Sequence, residues 1–473
     1  MNKSILPFIV MFLASGCTVG PNYKRPKVDV PGTYRGAATE EGTQPQQQQQ
    51  ASEQSFGDQN WWDVFQDPQL QELVRTALKQ NYDVRIAASR ILEARAQLGI
   101  TRADQFPTVN AGAGAQNLRL PRNKVTPELE TNYTQLNASV AWDLDFWGKY
   151  RRATEAARAN VLAAEWARRA VINTLVSDVA GAYFQLRADD LQLEIAKRSL
   201  DSRQESLRLT QTLATGGAGT MVDVRQAEQL VAVAAETIPD LERRIQQEEN
   251  FISILLGNNP GPIARGMKLT EQPHLPEVPP GIPSRLLERR PDIREAEAEL
   301  MTANAEIGVA RAAYFPDITL TGTGGFLSSS VTSLFTGPAG FWAFGASVTQ
   351  PIFAGGRIRS GVRLSEARQQ EMVLRYQQTI QGAFRGVSDS LIEYQKDREF
   401  RQHQEELAQA AQDAARLATV RYRGGATNYL EVLTNETNYL NAELNLAQAQ
   451  VNELLGVVDI YRNLGGGWQR EYP

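Results

Sequence analysis

The chain has 473 residues, 42% of them hydrophobic, which permits a large core and makes a single compact domain too small a description. A formal net charge of −5 offers no basic surface to nucleic acid, so no nucleic-acid partner is expected. His274 and His403 are the only histidines and Cys17 the only cysteine. No metal site, cofactor or catalytic constellation is therefore expected, and the chain is not read as an enzyme.

At the N-terminus, Lys3 supplies a positive charge, Ile5 to Ala14 is apolar, and Ser15-Gly16-Cys17 closes the run. The pattern resembles a bacterial lipoprotein signal, with Leu13 one place earlier than the preferred position. It predicts a signal peptide over residues 1–16 and lipidation at Cys17, with Thr18 implying sorting to the outer membrane. Several acyl chains at about 0.8 kcal/mol per buried CH₂ would hold the chain durably on lipid. Beyond this segment no run of apolar residues is long enough for a membrane-spanning helix. Residues 18–60 are polar and rich in Pro, Gly and Gln, with glutamines filling 46–50, and residues 17–68 read as a lipid-anchored tether and equatorial strap.

From Leu70 to Ala103 the apolar positions recur at helical spacing: Leu70, Leu73, Val74, Ala77, Leu78. Pro107 ends that pattern, and strands are predicted over about 107–118 and 134–147. In the second, Leu136, Ala138, Val140, Trp142, Leu144 and Phe146 alternate with Gln135, Asn137, Ser139, Asp143 and Asp145. A strict period of two places one face in an apolar medium and the other in water. A proline-free helix follows over about 149–214, then Gly216 and Gly217, then a return helix from Met221 to Leu256 that closes a first repeat over 69–257. Asp143 and Asp145 stand where strand passes into helix, and a structural role there is preferred to a lumenal one.

After a linker over 258–285 the same order returns over 286–457. AQLGITRADQFPTV at 96–109 corresponds to AEIGVARAAYFPDI at 305–318, and TGGAGTMVDV at 215–224 to RGGATNYLEV at 423–432. The second copy predicts a helix over Leu286–Ala312, strands over about 315–326 and 341–353, a long helix over about 357–423, the turn Gly424-Gly425, and a return helix from Thr427 to about Leu455. Residues 458–473 form a C-terminal segment. Trp142, Phe146, Trp147, Phe341 and Trp342 cluster near strand ends, as interfacial aromatics do.

Four strands cannot close a barrel, and open sheet edges cannot sit in lipid. The missing strands must come from further copies of the chain in a cyclic homo-oligomer. Two copies would give eight strands and a narrow interior; three would give twelve and a real lumen. The predicted fold is a mixed α/β membrane protein built from a duplicated helix-strand-strand-long helix-helix unit.

Across residues 17–473 the chain resembles the outer-membrane factors of tripartite efflux systems, lipoprotein branch, associated with resistance-nodulation-division pumps. The resemblance rests on GPNYKRP at 20–26, FQDPQL at 65–70, LDFWGK at 144–149, RRPDIREAE at 289–297, YFP at 314–316, QPIFAGGR at 350–357, RYRGG at 421–425, NYLEVL at 428–433 and LGGGW at 464–468. It implies a homotrimer forming a 12-stranded transmembrane β-barrel continuous with a 12-helix periplasmic α-barrel. It also implies a periplasmic adaptor (membrane fusion) protein and an inner-membrane pump as partners, and drugs or other small amphiphilic compounds as cargo.

The same resemblance implies that Arg421, Tyr422 and Arg423 belong to a periplasmic gate; the matching positions of the first copy are Leu213, Ala214 and Thr215. The plainer reading of the arginines is complementation of a helix dipole ahead of a Gly424 cap. Relatives often carry an aspartate and an arginine just past this turn; here those places hold Thr434 and Thr437. Glu431 and Glu436, with Asp223 matching Glu431 in the first copy, are the remaining pore carboxylate candidates, against the alternative of solvated helix surface. Gly216, Gly217, Gly424 and Gly425, beside Thr220 and Asn428 at the starts of the return helices, are the implied adaptor-docking turns. Two other readings remain open at this stage: a duct for peptide or protein export, and a periplasmic structural lipoprotein that makes no pore.

Overall fold

The computed structural model describes residues 18–36, 55–120, 129–273 and 278–468, so the signal segment, Cys17, the glutamine run and His274 lie outside the described residues. The major elements run α1 (Pro68–Gln80), α2 (Tyr82–Ala103), β1 (Thr108–Leu120), β2 (Leu129–Asp143), α3 (Lys149–Thr215) and α4 (Met221–Leu255). They continue as α5 (Pro283–Arg289), α6 (Pro291–Ala312), β3 (Asp317–Ser328), β4 (Gly340–Thr349), α7 (Arg357–Arg423) and α8 (Tyr429–Asn463). Corresponding helices have equal lengths: 67 residues for α3 and α7, and 35 for α4 and α8. At 1.5 Å per residue each long helix extends about 100 Å. Among the described residues no helix is apolar and long enough to cross a membrane.

Several boundaries differ from the sequence pattern, each for a local reason. The helix expected over 70–103 is two, because the Asn81 side chain accepts from the amides of Asp83 (2.8 Å) and Val84 (3.2 Å) and starts α2 afresh. Its counterpart divides at Pro291, whose ring nitrogen has no proton to donate. β2 ends at Asp143 rather than 147, since Leu144 to Gly148 turn into α3 with Gly148 at φ +80°. β4 ends at Thr349 rather than 353, and α8 continues to Asn463, past the expected end near 455.

The chain forms two compact units, each drawing on both repeats. The first (Met1–Lys27, Ser89–Glu165, Glu295–Gln377) contains a four-stranded antiparallel sheet in the order β1-β2-β3-β4. Its register aligns the alternation across all four strands. Val109, Val140, Gly322 and Phe344 stand side by side on one face. Asn110, Ser139, Thr323 and Ala343 stand on the other, with Asn137, Thr321 and Ser347 nearby. Gly322 is required there, because a Cβ would lie 2.9 Å from Val140 Cγ1 and 3.2 Å from the Phe344 ring.

The strand-to-helix junctions explain two of the motifs. Trp147 stacks on Phe315 with ring centroids 4.6 Å apart and donates to the Pro316 carbonyl at 2.9 Å. Asp145 accepts from the Arg151 amide at 2.9 Å in the first turn of α3, and Asp143 accepts from Tyr150 (2.9 Å) and Thr319 (2.6 Å). Both aspartates thus bind groups of the adjoining strand and helix. In the same unit the strap beginning at Thr18 is pinned to helices. Arg152 donates to the Val19 and Gly20 carbonyls and the Asn22 side chain, while Tyr23 and Arg25 bind Glu297.

The second unit (Val28–Ala88, Trp166–Arg294, Gln378–Pro473) has Asp67 at its core, fully buried. Its carboxylate caps α1 through the Gln69 amide (2.9 Å) and accepts from Tyr183 (2.8 Å), the Met267 amide (2.9 Å) and Gln272 (3.1 Å). So many donors satisfy a buried charge that would otherwise be costly. Phe65, Tyr461 and Phe56 pack edge to face beside it.

Candidate functional site

Two features of the fold ask for a function: the turns between long and return helices, and the open sheet. Each turn is closed by the same hydrogen-bond pattern. At the first, the Ala218 amide reaches the Leu213 carbonyl (2.9 Å) and Gly217 reaches Ala214 (3.2 Å). At the second, Ala426 reaches Arg421 (2.9 Å) and Gly425 reaches Tyr422 (3.0 Å). This is a Schellman closure, and it needs a left-handed residue at the position taken by Gly217 (φ +73°) and Gly425 (φ +70°). Gly216 and Gly424 precede them with ordinary φ values.

The return helices begin alike, but their acidic third residues do different things. In the first copy Thr220 and Asp223 form a reciprocal capping box, with the Thr220 amide 3.0 Å from the Asp223 carboxylate. In the second copy Asn428 accepts from the Glu431 amide (3.3 Å), which frees the Glu431 carboxylate to bind Thr427 and Arg421, the latter at 2.7 Å. Arg421 thus ties the end of α7 to the start of α8. Tyr422 rests edge-on against Tyr429, centroids 5.2 Å apart at 66°. Arg423 is exposed. The structure therefore assembles Arg421, Tyr422, Glu431 and the glycines at one turn, and leaves Arg423 projecting from it.

Thr434 and Thr437 donate back to the Leu430 (2.9 Å) and Leu433 (2.8 Å) carbonyls of their own helix, which occupies both hydroxyl protons. Glu436 is half-buried, and that burial raises its carboxyl above the usual range despite the opposing charge of Arg203.

Sequence reasoning passed over the support beneath this turn. Tyr429 is fully buried with Val432, Ala227, Leu230 and Ala418, and its hydroxyl lies 3.2 Å from that of Ser206. Burial raises its pKa. Arg203, only 1% exposed, donates to the Leu230 carbonyl (2.9 Å) and the Glu436 carbonyl (3.4 Å), and burial lowers its pKa. One guanidinium thus joins α3 to both return helices. One arginine among the nine of α3 gives no sequence signal of burial; Asp67, standing before Pro68 at a helix start, does.

On the sheet, one face exposes Val109, Trp342, Phe344 and Val348, with Leu136, Val140, Trp142 and Leu320 partly open. Among the described residues β1 and β4 each pair on one side only. Among the described residues no group of His, Cys, Asp and Glu could hold a metal ion.

The outer membrane efflux protein family matches the chain twice, at residues 73–258 and 282–466. The toluene efflux pump outer membrane protein TtgC of Pseudomonas putida is 36% identical over 476 residues, covering 100% of this chain and 97% of that protein. The cation efflux system protein CusC of Escherichia coli is 35% identical over 468 residues, covering 98% and 99% respectively. Among solved structures, the outer-membrane channel OprN has a TM-score of 0.87 at 32% identity, over 96% of this chain and all of that one. The chain therefore belongs to the outer membrane efflux protein family, and is an outer-membrane efflux channel component rather than an enzyme.

Proposed function

We propose that three copies of this chain close a twelve-stranded transmembrane barrel continuous with a twelve-helix periplasmic barrel. The assembly is a passive exit duct for drugs or other small amphiphilic compounds. Cargo arrives from an inner-membrane resistance-nodulation-division pump through a periplasmic adaptor, and energy comes from the pump. Cys17 carries the lipid that anchors each copy to the outer membrane. The adaptor docks on the turns at Gly216-Gly217 and Gly424-Gly425.

The observation that carries this reading is the sheet. It pairs an exposed apolar face with a face of Asn, Ser and Thr and ends in open edges on both sides. Such a sheet is compatible with lipid only when neighbouring copies complete it around water. The polar gate falls to the second turn and comprises Arg421, Tyr422, Arg423, Glu431, Thr434 and Thr437, with Glu436 and Asp223 as further pore carboxylates. A single-channel recording of the purified protein in a planar bilayer tests the gate, comparing wild type with a Tyr422→Phe, Arg423→Ala pair. The wild type should open rarely and the variant more often or more widely. Equal conductance in both would move the gate away from this turn.

A further inference from the structure

Building on that trimeric reading, we infer that β4 of one copy pairs with β1 of the next in a single defined register, with Ser347 opposite Gly114 and Ala346 opposite Ala115. The register follows from the displacement between the two copies, which QFPTV at 105–109 against YFPDI at 314–318 sets at 209 for β1 and β3, and Ser139-Val140 against Ser347-Val348 sets at 208 for β2 and β4. Thr108 of β1 and Asp317 of β3 stand 209 residues apart, and Ala141 of β2 and Thr349 of β4 stand 208 apart. The Thr108–Ala141 pair maps onto the Asp317–Thr349 pair, and every other β1–β2 partner that has a counterpart in the shorter second hairpin maps the same way. The two hairpins are therefore one object used twice.

The junction between hairpins occurs once inside the chain, between β2 and β3. A closed ring built from equivalent hairpins repeats that junction between β4 and the next copy's β1, which spreads the barrel's stagger evenly around its circumference. Moving β2 forward and β3 back by those displacements carries Val140–Gly322 onto Val348–Ala113. It carries Ser139–Thr323 onto Ser347–Gly114, and Ala138–Gly324 onto Ala346–Ala115.

The in-chain pairings also determine which faces meet at this junction. Within β2, β3 and β4 the apolar face falls on even-numbered residues, whereas in β1 the register to β2 puts it on odd ones, at Val109, Ala111 and Ala113. The inferred pairing joins even to odd and so keeps the apolar face continuous across the junction, as those in-chain pairings require. A slip of one residue would turn that face inward. A slip of two would preserve the faces but break the equivalence of the junctions. The mapping also places Gly345 opposite Gln116, where the in-chain junction has Gly325 opposite Asn137.

Disulfide trapping in the full-length, lipidated protein decides the register. Gly114→Cys is suited to it, because a Cβ there meets nothing within 4 Å, and Ser347→Cys is nearly isosteric. The 114/347 double variant should oxidise to a covalent trimer on denaturing gels, at least tenfold more than 112/347 or 116/347, and neither single variant should. Directly opposite Cα atoms lie about 4.5–5.5 Å apart, whereas a two-residue slip exceeds disulfide reach. Preferential trapping at 112 or 116, or none at any pair in a particle of trimeric native mass, overturns the register and leaves the channel intact. A monomeric native mass overturns the trimer itself.

Discussion

Arg421 and Glu431 form the one charged contact that closes the second turn, and its strength follows from its exposure. The arginine side chain is 56% exposed and the glutamate 33%, so solvent screens the pair and about 0.5–1 kcal/mol is its scale. Arg421→Ala should therefore raise channel open probability only about two- to fivefold, and 1 M salt should reduce the difference, measured by single-channel recording. No change at low salt would assign the closed state to other contacts. A second residue reports on pH. Burial, with Asp189 adding repulsion, pushes Glu248 up to about 7 from an ordinary 4.5. A carboxyl with a raised folded-state pKa favours folding below about 4.5, and that contribution is lost as pH rises through 7. Glu248→Gln should accordingly melt above the wild type at pH 8 and nearly with it at pH 4.5. An equal offset at both pH values would show that the carboxyl does not titrate there. Neither Glu248 nor Arg203 stands out in sequence, because burial on a helix is decided by the neighbours it meets.

At the scale of elements, the duplicated glycine turns make a clean experiment. A Cβ on Gly217 or Gly425 meets no atom within 4 Å, so substitution there costs backbone strain alone. Gly425→Ala should destabilise the hairpin by about 1 kcal/mol and Gly425→Asn by less, read from thermal or denaturant unfolding. Equal effects at neighbouring Gly424, which has an ordinary φ, would argue against the left-handed cap. These elements were largely legible in the sequence. Glycine pairs, proline breaks and two changes of period marked the helices, strands and turns in order. Element ends were less so: Asn81 restarts a helix within an uninterrupted apolar pattern, and Gly148 ends a strand before its alternation ends. Alternation assigns faces but does not name partners, so the register of the sheet required the structure.

For the whole molecule, the same sheet governs assembly. An isolated copy leaves Trp342, Phe344 and Val348 between 66% and 79% exposed, and among the described residues two strand edges have no further strand to pair with. Lipid satisfies the apolar face, but only protein strands satisfy an edge at membrane depth. The proposed gate, docking turns and lumen all depend on that closure. Its most direct test is the native mass of the lipidated protein extracted in mild detergent. Three chains per particle is the predicted result; a stable particle of one or two chains would contradict the account.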